Sequence, residues 1–136
     1  MNFPILFYGV NLARIPEERR NFPKEVTSGE GAMRTLNLEA LEELVEKHGL
    51  ETFFSDDCDY IEYEVAHVGV QIKNNYVEGE VVESEQRVFF EECVRFDRKQ
   101  IIDLYKNPSE LLKRMKKIGL DVKPEELALY GYVGID

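Results

Sequence analysis

The sequence predicts an α+β protein in which helices lie mainly on one face of an antiparallel or mixed sheet. Apolar and polar residues alternate through most of segment 60–97, which is the pattern of half-buried strands. Apolar residues recur with helical spacing in segments 38–48 and 97–118. Strand-like runs also stand near both ends of the chain. These observations place strands before, between and after two helical regions.

The two outer strands are predicted from different signals. Segment 3–10 is apolar on both of its faces, which is typical of a strand in the middle of a sheet, and Pro4 marks its beginning. Segment 129–135 places Tyr130 and Tyr132 among glycines and reads as the last strand. Both strands are therefore expected to belong to the sheet that carries the core.

Segment 60–97 is predicted to form a three-stranded meander. Asn74–Asn75 is suited to the first two-residue turn, because asparagine tolerates the backbone geometry of such turns, and Ser84–Glu85 is placed at the second. The predicted register pairs Val68 with Val81 and Ile72 with Val77. A one-residue slip would turn glutamates toward the apolar face, so the pattern specifies this register.

Two irregularities interrupt this pattern. The apolar phase changes at Val65–Ala66, which predicts a β-bulge there. Glu92 falls on the apolar face opposite Val77, either near an exposed hairpin tip or as a half-buried acid with a raised pKa. Val94 and Phe96 lie beyond the reach of a strand over residues 76–83. The first strand, the last strand or a second copy of the chain is then expected to pair with them, so a homo-oligomer stays open.

Cap residues place the helices. Asn37 is expected to cap a helix over residues 38–48 that ends at Gly49. Asp97 is expected to cap the next helix, with Gln100 as its capping-box partner.

A third helix follows at once. It is predicted to begin in the segment Asn107-Pro108-Ser109-Glu110 and to end at Gly119. Ile101, Leu104 and Tyr105 form the predicted buried stripe of the helix before it. Lysine and arginine crowd the last turns of the third helix, as the helix dipole favours.

Composition sets limits on the class of protein. The 136 residues suit a single globular domain, and 11% aromatic residues argue against disorder. No apolar run approaches the roughly 20 residues that span a bilayer, so no membrane partner is expected. Cys58 and Cys93 do not make a disulfide framework. We expect a cytoplasmic protein with free thiols.

The net charge of −10 is concentrated in the middle of the chain. Residues 39–97 hold four basic and seventeen acidic side chains. So much negative charge repels nucleic acid, and it either attracts a basic protein surface or serves solubility alone. The predicted interaction surface comprises Glu62, Glu64, Glu78, Glu80 and Glu91.

Segment 11–35 is predicted to be a long arginine-rich loop. It holds four arginines and a small-residue stretch at 27–31, but it lacks the lysine and hydroxyl ending of a phosphate loop. One interpretation is an anion-binding lid, since arginine presents a planar fork to phosphate or carboxylate. The other is a surface loop whose arginines pair with the acidic meander. The arginines are Arg14, Arg19, Arg20 and Arg34.

No motif in the sequence specifies catalysis. There is no nucleophile triad or zinc spacing, and Asp56-Asp57-Cys58-Asp59 lacks the EF-hand pattern, so no metal or cofactor is predicted. We favour a non-enzymatic interaction protein that engages a basic protein surface, of the inhibitor, immunity or antitoxin-like, or phage-type anti-host kind. The alternative is a protein that binds or acts on a small anionic ligand, such as a nucleotide, through the loop arginines.

Overall fold

A computed structural model of the chain describes residues 4–28, 35–53, 60–61, 66–78 and 92–133. Within them, α-helices pack on a four-stranded antiparallel sheet, and the predicted α+β class is confirmed. A three-stranded sheet and a two-stranded ladder account for the other described strands. Across the described parts of the chain, no helix has the length and apolar character required to cross a membrane.

The four-stranded sheet comprises β1 (Pro4–Asn11), β4 (Glu51–Phe53), β6 (His67–Gln71) and β9 (Ala128–Val133). Their order across the sheet is β4, β6, β1, β9. β1 lies between β6 and β9 and pairs with both. Its predicted central position is confirmed, because side chains on both of its faces are buried: Phe7 is 2% exposed and Val10 is 1% exposed.

The main core lies on one face of this sheet. Successive side chains of a strand point to opposite faces, so Leu6, Tyr8 and Val10 share a face, and all three belong to or pack against the buried cluster. Helical side chains complete that cluster, so the described helices lie on this side of the sheet, as predicted. The helical members of the cluster include Leu38, Leu41, Val45, Leu111 and Met115.

Local signals placed the first helix correctly. Helix α1 spans Leu38–Lys47, and the Asn37 side chain accepts a hydrogen bond from the N–H of Ala40 at 3.1 Å. This bond satisfies one of the donors that a helix start leaves unpaired. The buried face of α1 consists of Leu38, Leu41 and Val45, in agreement with the helical spacing of apolar residues in this segment.

Helix α2 spans Arg98–Lys106, and Asp97 caps it by accepting from the N–H of Gln100 at 3.1 Å. The predicted reciprocal bond of a capping box is wrong. The Gln100 side chain instead accepts from the N–H of Lys73 at 2.7 Å and donates to the carbonyl of Gln71 at 3.1 Å. Gln100 binds these partners because the N–H of Lys73 and the carbonyl of Gln71 would otherwise be left unpaired.

Tyr105 does not belong to the buried stripe of α2, which corrects the prediction. Its side chain is 54% exposed, although its ring lies 4.8 Å from that of Tyr8. Helix α2 therefore covers the core loosely. Helix α3 spans Ser109–Lys117, begins beside Asn107, whose side chain accepts from the N–H of Ser109 at 3.3 Å, and ends before Gly119 as predicted.

The predicted pairing of the first meander strand is wrong. Val68 cannot pair with Val81, because Val10 and Thr52 already occupy the two sides of Val68 in the four-stranded sheet. A strand has two hydrogen-bonding edges, and β6 uses both of them for β1 and β4. The N–H of Ile72 extends this ladder by donating to the carbonyl of Leu6 at 2.8 Å.

The rest of the predicted meander is present as a two-stranded ladder. Strands β7 (Asn74–Glu78) and β8 (Glu92–Phe96) pair antiparallel. Asn74 and Asn75 lie within β7 rather than forming a turn, so β7 begins two residues earlier than predicted and reaches Val94 and Phe96. The register is also shifted by one, because Val77 pairs with Cys93 and not with Glu92.

A small sheet joins distant parts of the chain. Its strands are β2 (Thr27–Ser28), β3 (Thr35–Asn37) and β5 (Tyr60–Ile61), with β3 between the other two. The start of the predicted meander thus pairs with the residues before α1. The bulge predicted at Val65–Ala66 involves Val65, which lies outside the described residues.

The described part of the arginine-rich segment is anchored to the core. Between residues 11 and 28 it forms short 3-10 turns at Leu12–Arg14, Glu17–Arg19 and Lys24–Val26. The apolar residues Leu12, Ile15 and Val26 are buried, each 1% exposed or less. These side chains were not recognised as core residues, because they follow no helical or strand period.

Candidate functional site

Arg19, a predicted anion ligand, is paired inside the fold. Its two terminal nitrogens bind the two carboxylate oxygens of Glu126 at 2.6 and 2.9 Å. One of them also donates to the carbonyl of Asp121 at 3.0 Å. The Arg19 hydrogen bond is the main cause that lowers the pKa of the Glu126 carboxyl below its ordinary value. An external anion would have to compete with this two-point ion pair.

The backbone around Arg19 explains why the pair forms. The N–H of Asn21 donates to the carbonyl of Gly119 at 2.7 Å, and the N–H of Asp121 donates to that of Arg19 at 3.0 Å. Arg20 and Leu120 lie between these bonds as a short antiparallel bridge. Gly119 has a φ of +99°, and a Cβ atom there would collide with the carbonyl oxygen of Asn21. Glycine therefore permits the close approach that brings the two segments together.

The other predicted arginines do not all join Arg19. Arg20 is half-buried next to it, on the segment that bridges to Leu120. Arg14 is exposed and ends the earlier turn Leu12–Arg14. Arg34 lies outside the described residues. The predicted ligand set thus remains a prediction, with one of its members engaged by Glu126.

The predicted acidic surface falls largely outside the described residues. Glu62, Glu64, Glu80 and Glu91 are not described. Glu78 ends β7, where its backbone pairs with Glu92. That surface therefore also remains a prediction.

A second acidic surface is described, on α1 and β4. Glu39, Glu43 and Glu46 follow one another at helical spacing and are exposed, and Glu51 begins β4 directly after the turn that ends α1. These four glutamates form what we call the acidic face. Burial and the negative charge of Glu46 raise the pKa of the Glu51 carboxyl. The helical spacing of apolar residues in segment 38–48 implies that the glutamates between them face water. The electrostatic effect of Glu46 on Glu51 depends on the turn between α1 and β4 and does not follow from that spacing.

An aromatic cluster lies on the sheet face opposite the main core. The rings of Phe7 and Phe53 stack with centroids 3.9 Å apart, and Tyr130 stacks on Phe7 at 5.2 Å. The half-buried ring of His67 stands edge-on to Tyr130 at 4.7 Å. Aromatic pairs prefer such offset and edge-to-face arrangements. The cluster accounts for the burial of Phe7 by packing.

Glycines make room for these rings. Gly9 pairs with Gly69 between β1 and β6, in the row that separates the side chains of His67 from those of Phe7. A Cβ on Gly9 would lie 2.7 Å from the Cα of Gly69, which is closer than real Cβ contacts. Because neither glycine has a side chain, the rings that lie on either side of this pair can come into contact above it. Alternate aromatic residues around paired glycines were the sequence signal that could have revealed this cluster.

The described residues do not assemble a metal site. No group of three or more histidine, cysteine, aspartate or glutamate side chains in these parts of the chain has the geometry to hold a metal ion. The segment Asp56–Asp59 is not among them.

Comparisons of the chain with protein-family models, with curated proteins and with solved structures find no match. The described geometry offers an ion pair that anchors the arginine-rich segment, an acidic face and a packed aromatic cluster.

Proposed function

We propose that this protein is a non-enzymatic interaction protein that engages a basic protein surface, and that the acidic face of α1 and β4 takes part in the contact. The observation that carries the proposal is the electrostatic repulsion between Glu51 and Glu46 on this exposed surface. Burial first, and then the negative charge of Glu46, disfavour the ionised form of Glu51, and this electrostatic cost appears as the raised pKa of its carboxyl. A cationic partner that lies over both carboxylates would remove that cost.

The charges on the acidic face are not neutralised within the described residues. The ion pairs found there join Arg19 to Glu126 and Arg114 to Glu110, and neither involves the acidic face. A surface of uncompensated charge raises the association rate with a partner of opposite sign. The contact is therefore expected to form quickly at low salt and to weaken as salt rises.

The engagement of Arg19 supports an interaction protein over an anion-binding lid. A lid needs guanidinium groups that converge on a ligand. Both terminal nitrogens of Arg19 instead bind Glu126, and one of them also donates to the carbonyl of Asp121. Releasing it would leave the Glu126 carboxylate, itself only partly exposed, without its ion-pair partner. The lid hypothesis stays testable: replacing Arg19 and Arg20 by alanine would have to abolish binding of an anionic ligand such as a nucleotide.

The class of partner can be tested by affinity capture with charge-matched variants. The first variant carries Gln in place of Glu39, Glu43, Glu46 and Glu51. The control neutralises four exposed acids elsewhere and changes the net charge equally: Glu18→Gln, Glu25→Gln, Asp103→Asn and Glu125→Gln. Wild type and both variants are used as bait in an extract of the native cell, and captured proteins are identified by mass spectrometry.

We expect wild type and the control to retain one specific basic protein that the acidic-face variant loses. The purified pair should then associate more slowly as salt is raised, with the acidic-face variant showing the smaller salt dependence. An equal loss of the partner by both variants would mean that net charge alone attracts it, and undiminished capture by the acidic-face variant would exclude that face from the contact. A captured partner with an acidic contact surface would contradict the proposal.

A further inference from the structure

We propose that a basic cleft between the β7–β8 ladder and the start of α2 binds a small phosphorylated molecule. The cleft is a cavity of about 460 Å³, within the size range of small-ligand sites. Among the described residues that line it are the cations Lys73, Arg95, Arg98 and Lys99. Such a concentration of positive charge is unexpected in a chain with a net charge of −10.

Hydrogen bonds between backbone and side chains build this cleft. The N–H of Asp97 donates to the carbonyl of Lys73 at 2.8 Å, and the N–H of Lys73 donates to the Gln100 side chain at 2.7 Å. The other end of the Gln100 amide donates to the carbonyl of Gln71 at 3.1 Å. The backbone of Lys73 is thus fixed against the beginning of α2. A fixed backbone lowers the entropy cost of bringing the side chain onto a ligand.

The ladder brings the remaining cation to the same place. Asn74 pairs with Phe96 and Asn75 pairs with Arg95 at the end of β7 and β8 nearest to α2. Arg95 therefore reaches the cleft from β8, Lys73 from the segment between β6 and β7, and Arg98 with Lys99 from α2. The cations that line this one cavity thus come from three different segments of the chain and not from the charged face of a single helix.

The positive charge of the cleft is not cancelled by the acids described around it. Asp97 is the carboxylate among the described lining residues, and its single negative charge offsets only one of the four positive charges. The described ion pairs, Arg19 with Glu126 and Arg114 with Glu110, involve none of the four cations. The cleft consequently attracts anions, although the chain as a whole repels them.

The chemistry of the lining favours a phosphate monoester. Two arginines can offer planar pairs of N–H donors to phosphate oxygens, and two lysines add point charges. The half-buried ring of Phe96 and the amide of Asn74 supply an apolar surface and a hydrogen-bonding group for the organic part of the ligand. A nucleoside or sugar monophosphate combines these features. The site is distinct from the acidic face and does not depend on the proposed protein partner.

The proposal is tested by titrating the full chain with adenosine 5′-monophosphate, glucose 6-phosphate and inorganic phosphate, using calorimetry and amide NMR shifts at low salt. The cleft variant carries Lys73→Gln and Arg98→Gln. The control carries Lys113→Gln and Lys117→Gln, two exposed cations of α3, and has the same net charge. Circular dichroism verifies that both variants fold, which is expected since the replaced side chains are exposed.

We expect at least one phosphate monoester to bind about tenfold more tightly than inorganic phosphate, and to shift the amides of residues 73–74 and 95–99. The cleft variant should lose at least tenfold in affinity, which corresponds to about 1.4 kcal/mol, and the control should match wild type. Equal loss in both variants, or no binding of either monoester, would overturn the proposal. Binding of inorganic phosphate as tight as that of the monoesters would also overturn it. So would a single-stranded oligonucleotide that binds the cleft when the monoesters do not.

Discussion

The guanidinium of Arg19 and the carboxylate of Glu126 lie 107 residues apart in sequence and form a two-point ion pair at 2.6 and 2.9 Å. Glu126 also accepts a hydrogen bond from the N–H of Lys123 at 2.8 Å, which fixes the carboxylate on the last 3-10 turn before β9. The pair thus ties the arginine-rich segment to the end of the chain that completes the main sheet. Its role in the described fold is structural.

Replacing Glu126 by Gln should lower the melting temperature at neutral pH. The folded-state pKa of Glu126 lies below the ordinary value of 4.5, so its stabilising contribution is complete above that value and is lost as the pH falls through the folded-state pKa. The difference between wild type and Glu126→Gln is therefore largest near neutrality and shrinks in acid. Thermal denaturation followed by circular dichroism at pH 7 and pH 3 measures it.

The neighbouring Glu125 provides the control for this prediction. It is exposed, and the described ion pairs do not include it. Glu125→Gln removes the same charge one residue away and should leave the melting temperature close to that of wild type. An equal loss of stability in both variants, or a difference that persists unchanged at pH 3, would contradict a specific role for the Arg19 pair.

Replacing Glu51 by Gln should have the opposite effect and raise the melting temperature at neutral pH. Burial first, and then the charge of Glu46, raise the folded-state pKa of Glu51 above 4.5. The ionised carboxylate therefore destabilises the folded state: no cost exists below the unfolded-state pKa, and the full cost is present once the pH exceeds the folded-state pKa. We expect Glu51→Gln to raise the melting temperature at pH 7 by no more than a few degrees, because the side chain remains largely exposed.

The double variant Glu46→Gln with Glu51→Gln tests whether the two carboxylates interact. If they repel each other, the gain from Glu51→Gln becomes smaller once Glu46 is neutral, and a double-mutant cycle measures this coupling. Glu43→Gln in place of Glu46→Gln serves as the control on the same helix. Strict additivity of the Glu46 and Glu51 effects would remove the electrostatic basis for the proposed acidic contact.

Replacing Gly69 by Ala should destabilise the sheet by about 1–3 kcal/mol, the usual cost of forcing an extra methyl into a packed site. The new Cβ would lie 2.8 Å from the Cα of Gly9 and collide with the carbonyl oxygen of Tyr8. Separating β1 from β6 to relieve the contact would also disturb the stacked rings above the glycine row. Urea denaturation measures the change in the free energy of unfolding.

Gly131 offers a matched control in β9 of the same sheet. A Cβ there would meet the Cδ1 of Leu6 at 3.8 Å, an ordinary van der Waals contact. Gly131→Ala should therefore be nearly neutral or slightly stabilising, since alanine restricts the unfolded chain more than glycine does. A loss of stability at Gly131 as large as that at Gly69 would show that the close approach of β1 and β6 is not the cause.

Strand pairing marks the limit of what the sequence could predict. Asn74–Asn75 has the composition of a turn, yet both residues are extended and belong to β7. The composition of a segment indicates that it can form a turn. Whether it does so depends on which distant strands form hydrogen bonds with the edges of its neighbours. For β6 those strands are β1 and β4, and the sequence around Val68 contains no information about either.

The candidate sites also differ in whether their residues could be predicted from the sequence. The exposed glutamates of α1 follow from helical spacing and could be predicted from the sequence. The partner of Arg19 could not, because the contact depends on a bridge between Arg20 and Leu120. The basic cleft was missed for the same reason: Lys73 and Arg95 are separated by 22 positions and meet through a ladder whose pairing was predicted incorrectly.

The sequence by itself determined the α+β class, the starts and ends of α1 and α3 and the central place of β1, since caps and hydrophobic periods act between residues a few positions apart. Only the tertiary structure decided which strands pair, that Arg19 is bound to Glu126, and that cations from three segments of the chain line one cleft. These outcomes depend on contacts between distant segments. Each such contact is chosen by competition for hydrogen bonds and buried space across the whole chain, which no local pattern encodes.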